Sequence, residues 1–139
     1  FPFCKNGVNP SVVLHGGDKL IAIHNDENID STEKGRMIAL KLPAKLTAPV
    51  PPATESATLE PAAELWRCPI GATSSSPVVV GDTIYQLSDG GELFAIDANT
   101  GAERWKLKLS NANLHSSPLY VDGLIEVTDG RQGGAGLTL

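Results

Sequence analysis

The sequence predicts an all-β chain of four-stranded antiparallel sheets, the blades of a β-propeller. Three observations carry this. Segments recur at a spacing near 40 residues: Glu64-Leu65-Trp66 returns as Glu103-Arg104-Trp105, and Ser75-Ser76-Pro77 returns as Ser116-Ser117-Pro118. Between these marks, short β-branched and aromatic runs alternate with turns that carry Gly beside Asp or Asn, the pattern of successive hairpins. Gly or Pro interrupts each apolar run before it reaches helical length. Such a period with four short strands per unit is the mark of propeller blades.

The clearest unit is 71–110. Ser76–Val80 is its first strand and Gly81-Asp82 a tight turn; Thr83–Leu87 follows, then Asp89-Gly90-Gly91, then Glu92–Ile96. The turn Asp97-Ala98-Asn99-Thr100-Gly101 leads into the outermost strand, Ala102–Leu109. Asp97 is placed to accept backbone N–H bonds inside its turn, and Gly101 to take up φ > 0. Trp105 is then expected to lie across the neighbouring blade and cover the seam. Pro77 and Pro118 open the innermost strands of their units.

The unit 111–139 repeats this as a partial blade, with strands expected at Ser117–Val121 and from Leu124, and a third beginning near Gly136. The unit 9–70 holds strands at Ser11–Leu14, Leu20–His24, Met37–Leu40 and Glu64–Cys68, with inserts at 25–36 and 43–63. The first insert reads as an acidic polar loop. The second, rich in Pro, Ala, Thr and Glu, reads as an extended surface loop. Lys41 stands where Asp97 would stand, yet Trp66 is retained, so the packing role of the tryptophan outlasts the turn chemistry. Residues 1–8 form a leader, read as the outer strand of a preceding blade. Two blades and part of a third fall short of the roughly four to eight that close a ring. The chain is therefore expected to belong to a larger propeller, or to meet blades of other chains.

Bulk properties exclude several functions. The 139 residues carry a net charge of −5 without a Lys/Arg cluster, which disfavours nucleic-acid and anionic membrane surfaces. No apolar run approaches the roughly 20 residues of a membrane span. Phe1-Pro2-Phe3-Cys4 lacks the basic start and apolar stretch of a signal peptide. Cys4 and Cys68 leave open either one disulfide or two separate thiols, and no Cys/His spacing suggests zinc.

Ala95-x-Asp97-x-x-Thr100-Gly101-x-x-x-Trp105, with the Ser-Ser-Pro starts and the Asp-Gly-Gly turn, resembles the repeat of pyrroloquinoline-quinone-type (quinoprotein-like) β-propellers. The resemblance covers nearly the whole chain outside the inserts and the first residues. It implies a parent propeller of eight blades in a bacterial periplasmic or extracellular protein. Some members are quinone (PQQ)-dependent dehydrogenases; others bind no cofactor and act as scaffolds. The enzymes are expected to hold the quinone centrally, against an aromatic residue and often a vicinal disulfide, with Ca²⁺ ligands and a catalytic Asp. This chain has no adjacent cysteines, and both its tryptophans sit in the outer-strand motif.

Candidate site residues are few. His115 takes the position of Ser74 one repeat later, near the mouth of the central channel; a loop histidine bonded to backbone or water is the simpler expectation. His15 and His24 fall at non-equivalent positions, against a shared metal. Asp26-x-Asn28-x-Asp30 starts like a Ca²⁺ loop, but Ser31 replaces the required Gly and Met37 the bidentate Glu. The serine runs at 74–76 and 116–117 recur with the repeat, as strand-entry residues do. No catalytic, cofactor-binding or metal residue is assigned, and PQQ and Ca²⁺ belong only to a parent protein. The expected function is a non-catalytic scaffold or protein-binding module. The alternatives are part of a quinone-dependent dehydrogenase whose catalytic residues lie elsewhere, and a carbohydrate- or peptide-binding propeller. The expected partners are other blades or protein subunits.

Overall fold

A computed structural model describes residues 1–43 and 59–128, and the backbone of a strand at 135–138. Most of the insert 43–63 lies outside the described residues. The first sheet is β1 (Val13–His15), β2 (Lys19–Glu27), β3 (Lys34–Lys41) and β4 (Glu64–Cys68), in that order. The second is β5 (Val78–Val80), β6 (Thr83–Leu87), β7 (Glu92–Asp97) and β8 (Glu103–Lys108). The third joins β9 (Leu119–Val121), β10 (Leu124–Val127) and β11 (Ala135–Thr138). All pairings are antiparallel between sequence neighbours. The one helical element among the described residues is a 3-10 turn, Pro61–Ala63, leading into β4.

The sheets stack with β1, β5 and β9 side by side, as blades around an axis do. Strand alternation decides what lies between them. Ile21, Ile23, Met37 and Ala39 of the first sheet meet Ile84, Phe94 and Ile96 of the second in one buried cluster. The intervening residues Ala22, Ile38 and Leu40 point the other way, under Phe1, Phe3 and Leu59. On the second sheet Tyr85, Leu87, Leu93 and Ala95 turn toward Ile125 and Val127 of the third. Each sheet thus has a face toward the preceding blade and one toward the following blade. A one-residue register slip would exchange them and expose both. Each fully buried Ile or Leu in these seams contributes about 1.5–3 kcal/mol over its exposed state.

The insert at 25–36 differs from the loop that its polar residues suggest. β2 continues to Glu27 and β3 begins at Lys34, with Glu27 paired to Lys34 across a register shift. Only the tip, residues 29–32, is turn or bend. Two things extend the strands despite the polar sequence. Asn28 donates its side-chain N–H to the Glu33 carbonyl at 2.9 Å, and the leader pairs along the hairpin. Cys4 bridges Asn28 in antiparallel fashion, and the Lys5 N–H bonds the Glu27 carbonyl at 3.0 Å. Lys5 also forms an ion pair with Glu27.

Lys41 and Asp97 hold the same place in their sheets, opposite Lys19 and Thr83. The next residue closes each hairpin identically: Leu42 N–H to Asp18 O at 2.7 Å, and Ala98 N–H to Asp82 O at 2.9 Å. The side chains diverge. Lys41 forms an ion pair with Asp18, whereas Asp97 pairs with Arg104.

Candidate functional site

The turn Asp97–Gly101 and Trp66 meet at the seam between the first two sheets. The Asp97 Oδ1 accepts the N–H groups of Asn99 and Thr100 at 2.9 and 3.0 Å. Its Oδ2 accepts Arg104 Nη2 at 2.7 Å, and Arg104 Nη1 donates to Thr83 Oγ1 at 2.7 Å. Arg104 first, then the backbone donors, lower the Asp97 pKa to about 2. The Gly101 N–H returns to the Asp97 carbonyl at 2.8 Å, with Gly101 at φ 74°.

Gly101 is required for a second reason. A Cβ there would lie 2.5 Å from Trp66 Cε3 and 2.7 Å from its Cδ2. Trp66, 8% exposed, comes from the preceding sheet and packs against this turn. Its Nε1 donates to the Ala98 carbonyl at 3.2 Å. Lys19, also from the first sheet, donates to the same carbonyl and to Asn99 Oδ1, both at 2.8 Å. Gly101 therefore serves the tryptophan of the blade before it, while Trp105, in the same motif, serves the seam after it. Trp105 is only half-buried; it packs in the cluster of Tyr85, Ile125 and Val127, with ring centroids 5.9 Å from Tyr85 at 50°.

A second device links the strand entries. Ser11 N–H donates to Ser76 Oγ at 2.8 Å, and Ser76 N–H donates to Ser117 Oγ at 2.9 Å. Pro77 and Pro118 follow directly and are buried, where their missing N–H leaves no donor to satisfy. The serine recurrence was legible in the sequence; its cross-blade direction was not. Ser74 and His115, 41 residues apart, meet across the next seam, with Ser74 Oγ 3.1 Å from His115 Nδ1. Among the described residues no carboxylate pairs with His115, so a serine–histidine dyad lacks its orienting group.

The other candidates separate. His24, 1% exposed, accepts the Asp26 N–H at its Nδ1 (3.2 Å) and packs edge-on against Phe3 at 4.8 Å. Burial, then Arg36, lowers its pKa, so it stays neutral. His15 Nε2 faces Asp82 Oδ1 at 3.2 Å, a contact between sheets. In the calcium-like segment, Asp30 bonds Arg36 at 2.7 Å and Arg67 at 2.6 Å. These two guanidinium groups hold its carboxyl well below the usual range. Asp26 accepts the Glu27 N–H at 2.7 Å. No group of three His, Cys, Asp or Glu side chains converges among the described residues. Cys4 and Cys68 are free thiols; burial pushes Cys68 up to about 11 and raises Cys4 as well.

Two clefts of about 130 Å³ open at the hairpin tips. One lies between the leader and the seam, lined by Asn9, His24, Asp26 and Thr73; the other is lined by Asn28, Arg36, Arg67 and Cys68. Both are well below the roughly 300–1,000 Å³ of ordinary small-molecule sites. Among the described residues both tryptophans are occupied in seam packing, and the acid at Asp30 is held by arginines.

A family model described as outer membrane protein assembly factor BamB matches residues 57–138. No curated protein matches the chain. Among solved structures, BamB from Moraxella catarrhalis is similar with a TM-score of 0.62 and 16% identity, covering 94% of this chain and 33% of its own. A europium-containing methanol dehydrogenase is similar with a TM-score of 0.54 and 17% identity, covering 96% of this chain and 22% of its own. The chain thus spans a third or less of the length of these proteins, and at such identities the likeness is one of fold. No helix among the described residues is long and apolar enough to cross a membrane. With the seam motifs, the stacked four-stranded sheets and the match over more than half of its length, the chain belongs to the pyrroloquinoline-quinone-like propeller repeat family that includes BamB.

Proposed function

We propose that this chain is a non-catalytic scaffold or protein-binding module, part of a larger propeller or multi-chain assembly in the bacterial periplasm or outside the cell. One observation carries the reading: the motif residues are engaged in holding the structure together, Trp66, Gly101 and the serine ladder between blades and Asp97 within its own sheet. Asp97, Gly101, Trp66 and the serine ladder all have structural partners. Exposed apolar side chains lie at the innermost strands, at Val12, Leu14, Leu119, Tyr120 and Val121, and also at Val8, Ile29, Leu65 and Leu107. Exposed apolar surface of this kind serves protein contacts. The likeness to BamB supports the same reading.

A second reading is part of a quinone-dependent dehydrogenase whose catalytic residues lie outside this chain, favoured by the likeness to the methanol dehydrogenase. Reconstitution of the longer protein with the quinone and Ca²⁺ separates the two. A scaffold shows neither quinone absorbance after gel filtration nor dye-linked alcohol oxidation. Bound quinone with turnover overturns the scaffold reading.

A further inference from the structure

The hairpin between β2 and β3 is longer than its counterpart in the second sheet, where the Ser88 N–H closes on the Glu92 carbonyl at 2.9 Å. In the first sheet His24 pairs with Arg36, and residues 25–35 project beyond that pair. The register shifts directly after His24, and the next paired residues are Glu27 and Lys34. Asp26 is left out of the ladder. Its N–H is accepted by His24 Nδ1 at 3.2 Å. An imidazole thus stands in for a strand partner at the root of the hairpin.

That bond requires a neutral ring. Nδ1 accepts, so the proton of neutral His24 is on Nε2. A second proton would put an N–H on Nδ1, donor against donor with Asp26. The ring is 1% exposed and packs edge-on to Phe3, so an imidazolium formed there would lose its hydration. On β3, Arg36 opposes a second cation; the Asp26 carboxylate on β2 and the Asn28 side chain favour one. The leader meets the ring through Phe3, while its Cys4 and Lys5 lie by Asp26 and Glu27. The cleft beside the ring is lined by Gly7, Asn9, Pro10, Asn25, Ala72 and Thr73, none of which titrates. Burial and Arg36 outweigh the rest and lower the His24 pKa.

We infer that His24 is an acid-sensitive latch at the root of the β2–β3 hairpin. Protonation of the ring frees the Asp26 N–H, and residues 25–35 lift from the leader while the rest of the sheet stays paired. The contacts that give way are the Lys5 N–H to the Glu27 carbonyl at 3.0 Å and the Ile29 N–H to the Phe3 carbonyl at 3.4 Å. In the open state the ring is an ordinary histidine that titrates at about 6.5; in the closed state it titrates lower. Opening therefore takes up a proton below about pH 6.5 and grows by at most about tenfold per pH unit. Carboxylates titrate at about 4, which leaves the range from about pH 7.5 to 5 to the histidines.

Amide hydrogen exchange of the chain, followed by NMR across that range and expressed as protection relative to unfolded-peptide rates, tests the latch. The amides of Lys5, Asp26 and Ile29 are expected to lose protection by up to about 30-fold on acidification, while those of β6 and β7 keep theirs. His24→Asn, whose Oδ1 can accept the Asp26 N–H without titrating, is expected to hold the same amides at constant protection. A change below about twofold in the wild type overturns the latch. A change that persists in His24→Asn overturns it too, since another group such as His15 or His115 then carries the effect. Should that variant fail to fold, NMR titration of the His24 ring in the wild type decides. The latch requires a midpoint below about 6.5, and one at or above it overturns the proposal.

Discussion

Gly101→Ala tests the seam most sharply, because two separate costs meet at one atom. At φ 74° an alanine sits in the left-handed region, which costs roughly 1–2 kcal/mol. Its Cβ would also lie 2.5 Å from Trp66 Cε3, about 1 Å inside ordinary carbon–carbon contact. Trp66 has little room to retreat: β4 fixes its backbone, and its Nε1 is tied to the Ala98 carbonyl at 3.2 Å. Displacing the indole forfeits part of what its removal would, about 3–5 kcal/mol for a buried Trp→Ala change. The sum for Gly101→Ala is about 3–5 kcal/mol, a large share of a typical domain's 5–15 kcal/mol. Urea unfolding followed by far-UV circular dichroism measures it without relying on tryptophan fluorescence. The decisive arm is the same substitution in a Trp66→Ala background. There only the backbone cost remains, so the loss falls to about 1–2 kcal/mol and the pair is non-additive by at least about 1 kcal/mol. Equal losses in the two backgrounds would refute the docking of Trp66 on Gly101.

Further outcomes follow from the same geometry. Trp105→Ala, at a half-buried position, costs roughly 1–3 kcal/mol in urea, less than Trp66→Ala; a greater loss than at Trp66 contradicts the burial seen here. Asp97, lowered to about 2 chiefly by Arg104, stabilises the fold above its unfolded value near 3.9. That stabilisation is lost as pH falls from about 4 to 2. Asp97→Asn removes this part of the acid dependence; an unchanged pH profile in the variant counts against it. Cys68, pushed up to about 11 by burial, reacts slowly with a disulfide reagent at pH 8 in the folded chain and rapidly in urea; equal rates show an open thiol.

Much of the fold was legible because it is local. The Gly and Asp turns and the alternation along Thr83–Leu87 and Glu92–Asp97 are set by neighbours in sequence, and β4 falls at Glu64–Cys68 as the repeat predicts. The hairpin at 25–36 reads as loop in the sequence because its polar residues carry no alternating apolar signal. Its pairing depends on the leader, more than 20 residues away, through Cys4, Lys5 and Glu27. The motif was recognisable, but its wiring was not. Gly101 and Trp105 stand four residues apart and serve different seams, because the partner of Gly101 is Trp66, 35 residues earlier. A repeat seen in sequence shows that each blade has the same parts. It does not show that a part of one blade completes the next.

The central claim is that the recurring motif is a docking joint between consecutive blades. Nuclear Overhauser contacts between the Trp66 indole protons and the Gly101 Hα test it most directly. The account predicts strong contacts and an upfield-shifted Gly101 Hα, since the glycine lies against the indole ring. A Gly101 Hα at an ordinary shift with no contact to Trp66 would contradict it.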